Sequence, residues 1–585
     1  MVSFPFLVES LPYIPSPSTS AVVLGLRQSR FAALFVCFLI AGAPAWATAT
    51  GKQGMVASEH PLASEAGVEV LRNGGNAVDA ALTTALAVCV LNASSCGIGG
   101  GGFALIYLAD QKKTVALDYR ETAPAAASRD MYIRDGKLDA QASRRGGLAV
   151  AVPGEVAGVA ELAKKYGTMP LAKLFEPAIR LARDGYPAGK HLAATIAQHQ
   201  DAIRKSPGLA ANFLGPEGKP PAEGETIRQP ELARTLQRIA DEGPQAFYGG
   251  EIAKAIVHAA RSADGILSED DLKSYRPVWR EPIELSFGGY DIHAMPPPSS
   301  AGVVLEVLGI VRNDDLSQLG HNAPAYLHLL AEAMKDSFAD RAEFYGDPIA
   351  TSVPIPRLLS NQNTDRLRRR ILPSGVRLWT QYGSSSALTK TPPADNGTSH
   401  LSVIDAHGNA VACTTTINTA FGSMVVAGDT GIILNNEMDD FSAQPGAPNV
   451  YGLIGTEANS IAPGKRPLSS MSPTIATRDG KAFLALGGSG GPFILSGTLQ
   501  VLLNSVVFDQ SAGDAVAAPR IHHQWIPAVL AAEEALPAVT REALGKLGHR
   551  VHTVPEMGAV QLIRRRGEVL EGAADPRKHG GAAGW

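Results

Sequence analysis

A β-hairpin pattern occurs twice along this 585-residue chain, and it constrains the fold more than any other feature. In the first instance, apolar runs at 103–108 and 115–119 flank the polar sequence Asp110-Gln111-Lys112-Lys113. In the second, apolar residues at 401–403 and 410–413 flank Asp405-Ala406-His407-Gly408-Asn409. Apolar runs around a short polar turn predict pairs of antiparallel strands. A sheet built from such pairs needs a further layer to cover its apolar face.

Helical periodicity predicts that covering layer. A short helix ends at Gly74-Gly75, Asn76 can cap the next one, and apolar residues recur at helical spacing from Val78 to Cys89. The stretch 153–312 is helix-rich, apart from a rigid bend at 295–300, and another helix is predicted from Pro324 to about Tyr345. Strand-like pieces at 431–434 and 483–487 complete a mixed α/β chain with helices on sheet.

The N-terminus is typical of an export signal. Arg27 and Arg30 precede an apolar run at 31–41, and the small-residue sequence Ala45-Trp46-Ala47 follows. The run spans about 11 residues, whereas a membrane-crossing helix needs about 20, so a retained anchor is the weaker interpretation. We expect residues 1–47 to be a signal peptide, the protein to be secreted or periplasmic, and the mature form to have no membrane span.

Charge and cysteine content limit the partners. Lys and Arg total 52 against 56 for Asp and Glu, and no basic block occurs, so a nucleic-acid partner is not expected. Once Cys37 leaves with the signal, Cys89, Cys96 and Cys413 remain; a Cys89–Cys96 disulfide or buried free thiols are both open, and burial is favoured. No metal-ligand spacing occurs, and neither a metal nor a cofactor is expected.

A hydroxyl residue stands at a break in the pattern. The stretch 374–397 lacks any apolar period and predicts an exposed linker, and Thr398 follows it directly before the second hairpin. Gly397 precedes Thr398 and can adopt strained backbone angles. A cut between the two would free a threonine whose own α-amine can activate its hydroxyl. Taken alone, Gly-Thr-Ser at the start of a strand is common.

Several separate motifs change that interpretation, because together and in this order they resemble the γ-glutamyltransferase family over almost the whole mature length. The motifs are Gly74-Gly75-Asn76-Ala77-Val78-Asp79-Ala80, 99–103, Asp118-Tyr119-Arg120-Glu121, 295–300, Thr398-Ser399-His400, 435–441, 466–473 and Asp575-Pro576-Arg577. The resemblance implies a four-layer αββα sandwich of the N-terminal-nucleophile hydrolase type. It also implies one composite domain made of two self-cleaved subunits, 48–397 and 398–585, associated as a heterodimer.

The same resemblance implies roles for individual residues. Thr398 would be the nucleophile, Thr416 would hydrogen-bond it, and the backbone N–H groups of Gly490 and Gly491 would hold the oxyanion. The donors would be glutathione or other γ-glutamyl compounds. The acceptors would be amino acids, dipeptides or water.

Substrate recognition follows from charge, since a γ-glutamyl group carries both an α-carboxylate and an α-ammonium. The carboxylate would be bound by Arg120, with the hydroxyls of Ser469 and Ser470. The ammonium would donate to Asn418, Glu437 and Asp440, and Tyr451 would close over the group as part of a lid at 448–452. Taken alone, Arg120 is more often a surface ion-pair partner than a ligand-binding residue. The alternative for Asp439-Asp440 is a solvated pair or helix cap, and that for Tyr451 is a half-buried turn residue.

One sequence feature departs from the family pattern, and two rival functions stay open. The glycine pair is followed by proline in Ser489-Gly490-Gly491-Pro492, which restricts Gly491 and can re-aim its N–H group. His522-His523 has no ligands at metal spacing, and a structural role is favoured. The rivals are an acylase of the same fold that acts on glutaryl or cephalosporin-type side chains, and a non-catalytic secreted binding protein.

Overall fold

The computed structural model describes residues 48–382 and 397–585. The predicted signal peptide and most of the predicted linker lie outside these residues. Within the described ranges, no helix combines the length and the apolar composition needed to cross a membrane.

The described chain alternates strands and helices throughout. The strands are β1 (Ala49–Gly51), β2 (Met55–Ser58), β3 (Gly101–Leu108), β4 (Lys113–Tyr119), β5 (Ile133–Arg134), β6 (Lys137–Leu138), β7 (Tyr186–Pro187), β8 (Thr226–Ile227), β9 (Val278–Arg280), β10 (Ile283–Phe287), β11 (Tyr290–Ala294), β12 (Ser399–Ile404), β13 (Ala410–Thr416), β14 (Thr474–Arg478), β15 (Lys481–Ser489), β16 (Ile521–His522), β17 (Leu530–Glu533), β18 (Val551–Val554), β19 (Ala559–Arg566), β20 (Val569–Ala574) and β21 (Gly581–Gly584). The α-helices are α1 (Pro61–Arg72), α2 (Ala77–Leu91), α3 (Glu155–Tyr166), α4 (Leu171–Asp184), α5 (Lys190–Arg204), α6 (Pro207–Phe213), α7 (Pro230–Glu242), α8 (Gln245–Tyr248), α9 (Gly250–Ser262), α10 (Glu269–Ser274), α11 (Ala301–Val311), α12 (Leu316–Leu319), α13 (Pro324–Phe344), α14 (Ile355–Leu358), α15 (Asn361–Arg370), α16 (Phe493–Val506), α17 (Ala512–Ala517) and α18 (Ala538–Lys546).

Two seven-stranded antiparallel sheets form the centre of the fold. The first sheet has the order β21-β2-β12-β13-β3-β4-β9, and the second has the order β1-β20-β19-β15-β14-β11-β10. Both predicted hairpins lie in the first sheet, as β3–β4 and β12–β13. Each sheet combines strands from both sides of the linker, so the two segments on either side of it share one composite core.

Side-chain alternation along β3 explains the layering. Phe103, Leu105 and Tyr107 point into an apolar core between the sheets, whereas Ala104 and Ile106 face a second core beneath the helices. This period of two is what a strand covered on both faces requires. Helices α1 to α5, with α7 and α9, cover the first sheet, and α11, α13, α16 and α17 cover the second. The architecture is the expected four-layer αββα sandwich.

Predictions that rest on short-range sequence signals, such as helix caps and apolar periodicity, agree with the structure. The Asn76 side chain caps α2 by accepting the Val78 and Asp79 N–H groups. The predicted helix from Pro324 is α13, and residues 483–487 lie in β15. The three cysteines at 89, 96 and 413 are buried free thiols, which favours burial over the disulfide.

The strand predicted at 431–434 is wrong. Only an isolated bridge joins Ile433 to Val426, and the run belongs to a local turn in which Ala427 N–H donates to Ile432 O. Its apolar residues pack into the core beneath the helices of the first sheet. The apolar run therefore reports burial in a loop, which periodicity cannot distinguish from a short buried strand.

Candidate active site

Two threonine hydroxyls meet at one end of the β12–β13 hairpin. Thr398 lies immediately before β12, and Thr416 is the last residue of β13, where the register pairs Ser399 with Thr415. The hairpin therefore places Thr398 beside Thr416, and their Oγ1 atoms are 2.9 Å apart. Thr416 Oγ1 also accepts the Asn418 N–H at 2.8 Å. Both threonines are buried, so the pair is held in a fixed geometry.

The backbone at Thr398 is strained. Its φ of +66° lies in the left-handed region, which a β-branched residue seldom adopts. Such a conformation costs about 1–3 kcal/mol and persists only where the surroundings impose it. Here the Thr398 N–H donates to Ser95 O at 2.9 Å. The peptide bond before Thr398 is therefore held in a conformation that cleavage would relax.

Gly397 is required for a different reason from the one the sequence suggests. Among the described glycines, Gly397 is not one of those with positive φ, so the strain lies one residue later than expected. A Cβ atom at Gly397 would lie 1.9 Å from Asn418 O, far inside contact distance. The glycine thus permits close approach of two backbone segments at the nucleophile.

A small cavity of about 20 Å³, room for about one water molecule, opens at the threonine pair. Every predicted site residue except Gly490 lines it, although these residues come from segments that are remote in sequence. The lining residues are Arg120, Thr398, Thr416, Asn418, Glu437, Asp440, Tyr451, Ser469, Ser470, Met471, Gly491 and Ile494.

Arg120 is completely buried at the end of β4. Its guanidinium pairs with Glu437 and with Asp440 Oδ2 at 2.5 Å, and lies 3.7 Å from Glu121. Its own carbonyl accepts the Tyr275 hydroxyl at 2.8 Å. The interpretation of Arg120 as a surface ion-pair partner is wrong, because β4 carries it into the interior.

The carboxylates around Arg120 outnumber it, and their pKa values reflect that excess. Burial raises the pKa of Glu437 to about 8, against the lowering effect of Arg120 and with a further increase from Asp440. Burial likewise raises the pKa of Asp440, and burial together with Glu437 raises that of Glu121. Among the described residues, Glu437 Oε2 and both Glu121 oxygens have no hydrogen-bond partner. Of these oxygens only that of Glu437 belongs to a residue that lines the cavity, where a ligand that donates could satisfy it.

The serine loop is braced by the rigid bend at 295–300. Ser469 N–H donates to Pro298 O at 2.8 Å, and the Ser300 hydroxyl donates to Ser469 O at 2.6 Å. Arg341 on α13 donates to the Ser300 hydroxyl at 2.8 Å. The bend therefore holds Ser469 and Ser470 at the cavity wall.

Tyr451 covers the cavity. Its hydroxyl donates to Asn418 O at 2.8 Å, and only 6% of the residue is exposed. The loop that carries it is joined to the acidic motif, since Val450 N–H donates to Asp439 Oδ2 at 2.8 Å. The residue occupies the position expected of a lid in its closed form, and the half-buried turn interpretation is wrong.

The glycine pair leads into helix α16. Gly490 and Gly491 have φ values of +121° and +54°. A Cβ atom at Gly490 would lie 2.6 Å from Gly558 Cα, and one at Gly491 would lie 2.8 Å from the Tyr451 ring. Pro492 begins the helical turn and excludes the ordinary helical conformation from Gly491. Both positions thus require glycine, and the oxyanion role of their N–H groups stays a prediction.

Two residues at the nucleophile were missed by sequence reasoning. The Lys578 ammonium group donates to Gly397 O, to Thr398 O and to Glu59. The only signal for Lys578 was its place directly after the Asp575-Pro576-Arg577 motif, and no signal marked Glu59.

Histidines elsewhere have structural surroundings. His522 bonds Ser496 and Gln524 and packs against two phenylalanine rings, and burial lowers its pKa to about 4. In the described ranges, one group has donor atoms close enough for a metal ion, namely His328, Glu332 and His549. Two of its imidazoles already bond each other at 2.8 Å, and Lys335 pairs with Glu332. These contacts leave the group poorly suited to a cation.

Comparison with known proteins gives consistent matches. A family model described as gamma-glutamyltranspeptidase matches residues 63–585. A relative named glutathione hydrolase proenzyme, from Escherichia coli (strain K12), is 40% identical over 94% of this chain and 97% of its own length. The crystal structure of a cephalosporin acylase from Bacillus halodurans superposes with a TM-score of 0.81 at 32% identity, covering 92% of this chain and 97% of that one. A chain of the gamma-glutamyltranspeptidase of Helicobacter pylori has a TM-score of 0.53 at 39% identity, covering 54% of this chain and 91% of its own.

Proposed function

The chain belongs to the γ-glutamyltranspeptidase family, and from that premise we propose that it cleaves itself before Thr398 and then transfers γ-glutamyl groups through that residue. It is a γ-glutamyltransferase and glutathione hydrolase with a threonine nucleophile. The observation that carries the proposal is the cavity in which the paired hydroxyls of Thr398 and Thr416 face Arg120 and its excess of carboxylates.

Self-cleavage is supported by the geometry at Gly397 and Thr398. The Thr398 hydroxyl lies on the residue that follows the scissile carbonyl, so attack on that carbonyl forms a small ring and shifts the Gly397 acyl group from nitrogen to oxygen. Hydrolysis of the resulting ester frees the Thr398 α-amine. The strain at Thr398 favours the reaction, since its release lowers the energy of the product relative to the intact chain.

The freed amine gives Thr398 its second role. It takes the proton of the Thr398 hydroxyl, which attacks the γ-carbonyl of the substrate, and the hydrogen bond between the Thr398 and Thr416 hydroxyls orients that oxygen. Backbone N–H groups of Gly490 and Gly491 are proposed to stabilise the oxyanion, where one donor is worth about 3 kcal/mol of barrier. The leaving amine takes the proton, and water or an acceptor amine then attacks the γ-glutamyl ester.

The unbonded carboxylate oxygens explain the preference for a γ-glutamyl group. The substrate α-ammonium can donate to Glu437, Asp440 and the Asn418 side chain, which satisfies an acceptor that otherwise stays buried and unpaired. Its α-carboxylate can accept from Arg120 and from Ser469 and Ser470. A glutaryl group carries the carboxylate alone and leaves the Glu437 oxygen unpaired.

The second candidate is an acylase, and the match to the cephalosporin acylase structure favours it as the rival. The two proposals differ in one functional group of the substrate. We expect hydrolysis of a γ-glutamyl anilide to exceed that of the glutaryl anilide by at least about tenfold, the loss expected when a buried charged group is left unpaired. A preference for the glutaryl compound would favour the acylase.

The cellular form follows from the same proposal. Removal of residues 1–47 would deliver a secreted or periplasmic precursor, and the cut would give subunits of residues 48–397 and 398–585 that stay associated. The interleaving of strands from both segments in both sheets supports a stable heterodimer. Its donors would be glutathione and related γ-glutamyl compounds, and its acceptors amino acids, dipeptides or water.

The direct test compares wild type with Thr398→Ala, using denaturing electrophoresis and intact-mass analysis. We expect two fragments from wild type, the smaller beginning at Thr398, and an uncut chain without γ-glutamyl anilide hydrolysis from the variant. Ser399→Ala is the matched control, because it removes the neighbouring buried hydroxyl and should leave cleavage intact. An uncut, inactive wild type would refute the proposal, and cleavage in Thr398→Ala would refute the role of this residue.

A further inference from the structure

We infer that Lys578 is a catalytic residue of self-cleavage, whose ammonium group stabilises the oxyanion that forms on the Gly397 carbonyl. The inference rests on the proposed cut before Thr398 and deepens it by naming the group that polarises the scissile bond. It also gives a purpose to the Asp575-Pro576-Arg577 motif, which the transfer reaction leaves unexplained.

The contact involves the reacting atom itself. Lys578 Nζ donates to Gly397 O at 3.1 Å and to Thr398 O at 2.9 Å. Only 6% of Lys578 is exposed. A lysine is seldom buried so fully without paired partners, and here its ammonium group is directed at the carbonyls on either side of the strained residue. Because water is largely excluded, its charge acts on the Gly397 oxygen with little screening.

The register of three strands places Lys578 there. In the first sheet, β21 pairs with β2 and β2 pairs with β12, so that Ser58 lies between Gly581 and Leu401. Each neighbouring chain segment therefore reaches the same end of the sheet, just beyond the paired residues. Glu59 follows β2, Lys578 precedes β21, and Thr398 precedes β12.

The aspartate motif fixes the turn that carries the lysine. Asp575 Oδ1 accepts the Arg577 N–H at 3.0 Å, which caps the short turn 576–578. The Arg577 guanidinium is bound by Glu533 through two hydrogen bonds of 2.7 and 2.6 Å. With Asp575 and Arg577 both anchored, Lys578 has little freedom to move away from Gly397.

Glu59 is a positioning residue for this ammonium group. Its Oε2 lies 3.3 Å from Lys578 Nζ, and its Oε1 accepts the His400 N–H at 3.2 Å. Burial raises the pKa of Glu59, and Lys578 opposes that increase. The carboxylate thus gives the buried lysine a counter-charge.

The proposed step balances as follows. Thr398 Oγ1 forms a bond to the Gly397 carbonyl carbon, the carbonyl oxygen takes the negative charge, and the Lys578 ammonium group donates to it. The carbonyl re-forms as the carbon–nitrogen bond breaks, and the proton lost by the hydroxyl ends on the Thr398 nitrogen. Water then cleaves the ester, which leaves a Gly397 carboxylate, a Thr398 α-amine and the original hydroxyl.

The test follows cleavage of the full chain after pulse-labelled cell-free synthesis. Lys578→Met should slow the appearance of fragments by at least about 100-fold, the effect of removing one oxyanion donor. Lys578→Arg keeps the charge and the donors and should restore part of the rate. The double variant Glu59→Gln, Lys578→Met removes the unpaired carboxylate, so it should fold with a melting temperature close to wild type yet remain slow. Lys465→Met is the matched control, because Lys465 is buried and donates to two backbone carbonyls at 2.8 Å away from the cut.

The outcomes separate this inference from the proposal beneath it. Wild-type chain cut before Thr398, with Lys578→Met cut at the same rate, would overturn the role of Lys578 and leave the proposed function standing. Equal slowing in Lys465→Met would also overturn it, because the effect would then follow from losing any buried lysine. Failure of wild type to cut before Thr398 would overturn the proposed self-cleavage itself.

Discussion

Two buried ionic clusters in this molecule look alike in composition and differ in how their charges are satisfied. The Arg120 cluster comprises Arg120, Glu121, Glu437 and Asp440, and it lines or borders the cavity at Thr398. The Asp575 cluster comprises Arg520, Glu533, Asp575 and Arg577, and it lies beneath the C-terminal turn. The first has three acids for one guanidinium, whereas the second has two of each.

Hydrogen bonding separates the clusters more sharply than charge does. In the Asp575 cluster every carboxylate oxygen accepts two hydrogen bonds. Asp575 accepts from Arg520, Val560 and Arg577. Glu533 accepts from Met557, Arg520 and Arg577. In the Arg120 cluster, three carboxylate oxygens have no partner among the described residues.

The pKa values of the acids follow the same division. Burial alone would raise the pKa of Asp575, but Arg520 and Arg577 together hold it below its usual value. Burial prevails in the other cluster and raises the pKa of Glu437 to about 8, despite Arg120. The Asp575 cluster, in which every carboxylate oxygen is hydrogen-bonded and only Arg520 Nε lacks a partner among the described residues, is expected to stabilise the fold. The Arg120 cluster instead leaves acceptors that a donating ligand could satisfy.

Breaking the Asp575 cluster should have the largest effect on the free energy of unfolding. Asp575→Asn places an amide against the Arg520 and Arg577 guanidinium groups and leaves buried charge uncompensated. We expect the free energy of unfolding to fall by about 3–5 kcal/mol. Denaturant unfolding would measure it in a Thr398→Ala background, where the chain stays in one piece. A loss below about 1 kcal/mol would mean that the cluster does not stabilise the fold as its bonding suggests.

A substitution in the Arg120 cluster should have the opposite result, with activity lost and stability kept. Glu437→Gln removes the proposed acceptor for the substrate ammonium and relieves the excess of buried acids, so the free energy of unfolding should stay within about 0.5 kcal/mol of wild type or increase. We expect kcat/KM for a γ-glutamyl anilide to fall about 30-fold or more, corresponding to about 2 kcal/mol for one lost charged partner. Glu306→Gln is the matched control, because Glu306 is also a buried glutamate with one oxygen that lacks a partner among the described residues, and it lies outside the cavity lining.

The pH dependence of wild type and of Glu437→Gln sharpens the contrast between the two clusters. Because burial raises the pKa of Glu437 to about 8, its carboxyl is protonated below that pH and becomes an acceptor above it. The kcat/KM of wild type should therefore rise as the pH increases through about 8, and Glu437→Gln should lose that rise. The raised pKa also means that this group's contribution to stability falls as the pH increases from 4.5 to about 8. A profile that keeps its rise in the variant would assign the titration to another group.

The parts of this structure that could be predicted from the sequence depend on short-range signals or on motif resemblance. The hairpins β3–β4 and β12–β13, the cap at Asn76 and helix α13 all follow from local patterns. The lining residues of the cavity, apart from Met471 and Ile494, followed from the family resemblance, although that resemblance did not reveal that Arg120 pairs with Glu437 and Asp440. Sheet order and the strain at Thr398 have no local signature, because contacts remote in sequence impose both.

Lys578 illustrates what sequence patterns leave out. Its partner Glu59 lies 519 positions away, and only the pairing of β21 with β2 brings the two residues together. Neither residue belongs to a motif, and a lysine near a C-terminus usually predicts an exposed charge. Its burial against Gly397 could be found only once the strand register was known.

The smallest expected effect concerns Tyr451 and the loop that carries it, which lie over the Arg120 cluster. Tyr451 donates to Asn418 O, and Asn449 on the same loop donates to Asp440 Oδ1 at 3.2 Å, so closure of the loop and the Arg120 cluster are directly joined. Tyr451→Phe removes one hydrogen bond worth about 1 kcal/mol, which should raise KM about fivefold and leave kcat and the melting temperature nearly unchanged. Tyr107→Phe is the control, because its hydroxyl also donates to a backbone carbonyl, that of Gly480, outside the cavity. If both variants raised KM equally, the Tyr451 bond would be an ordinary structural contact; if only Tyr451→Phe did, the open acceptors of the Arg120 cluster depend on that loop to exclude water.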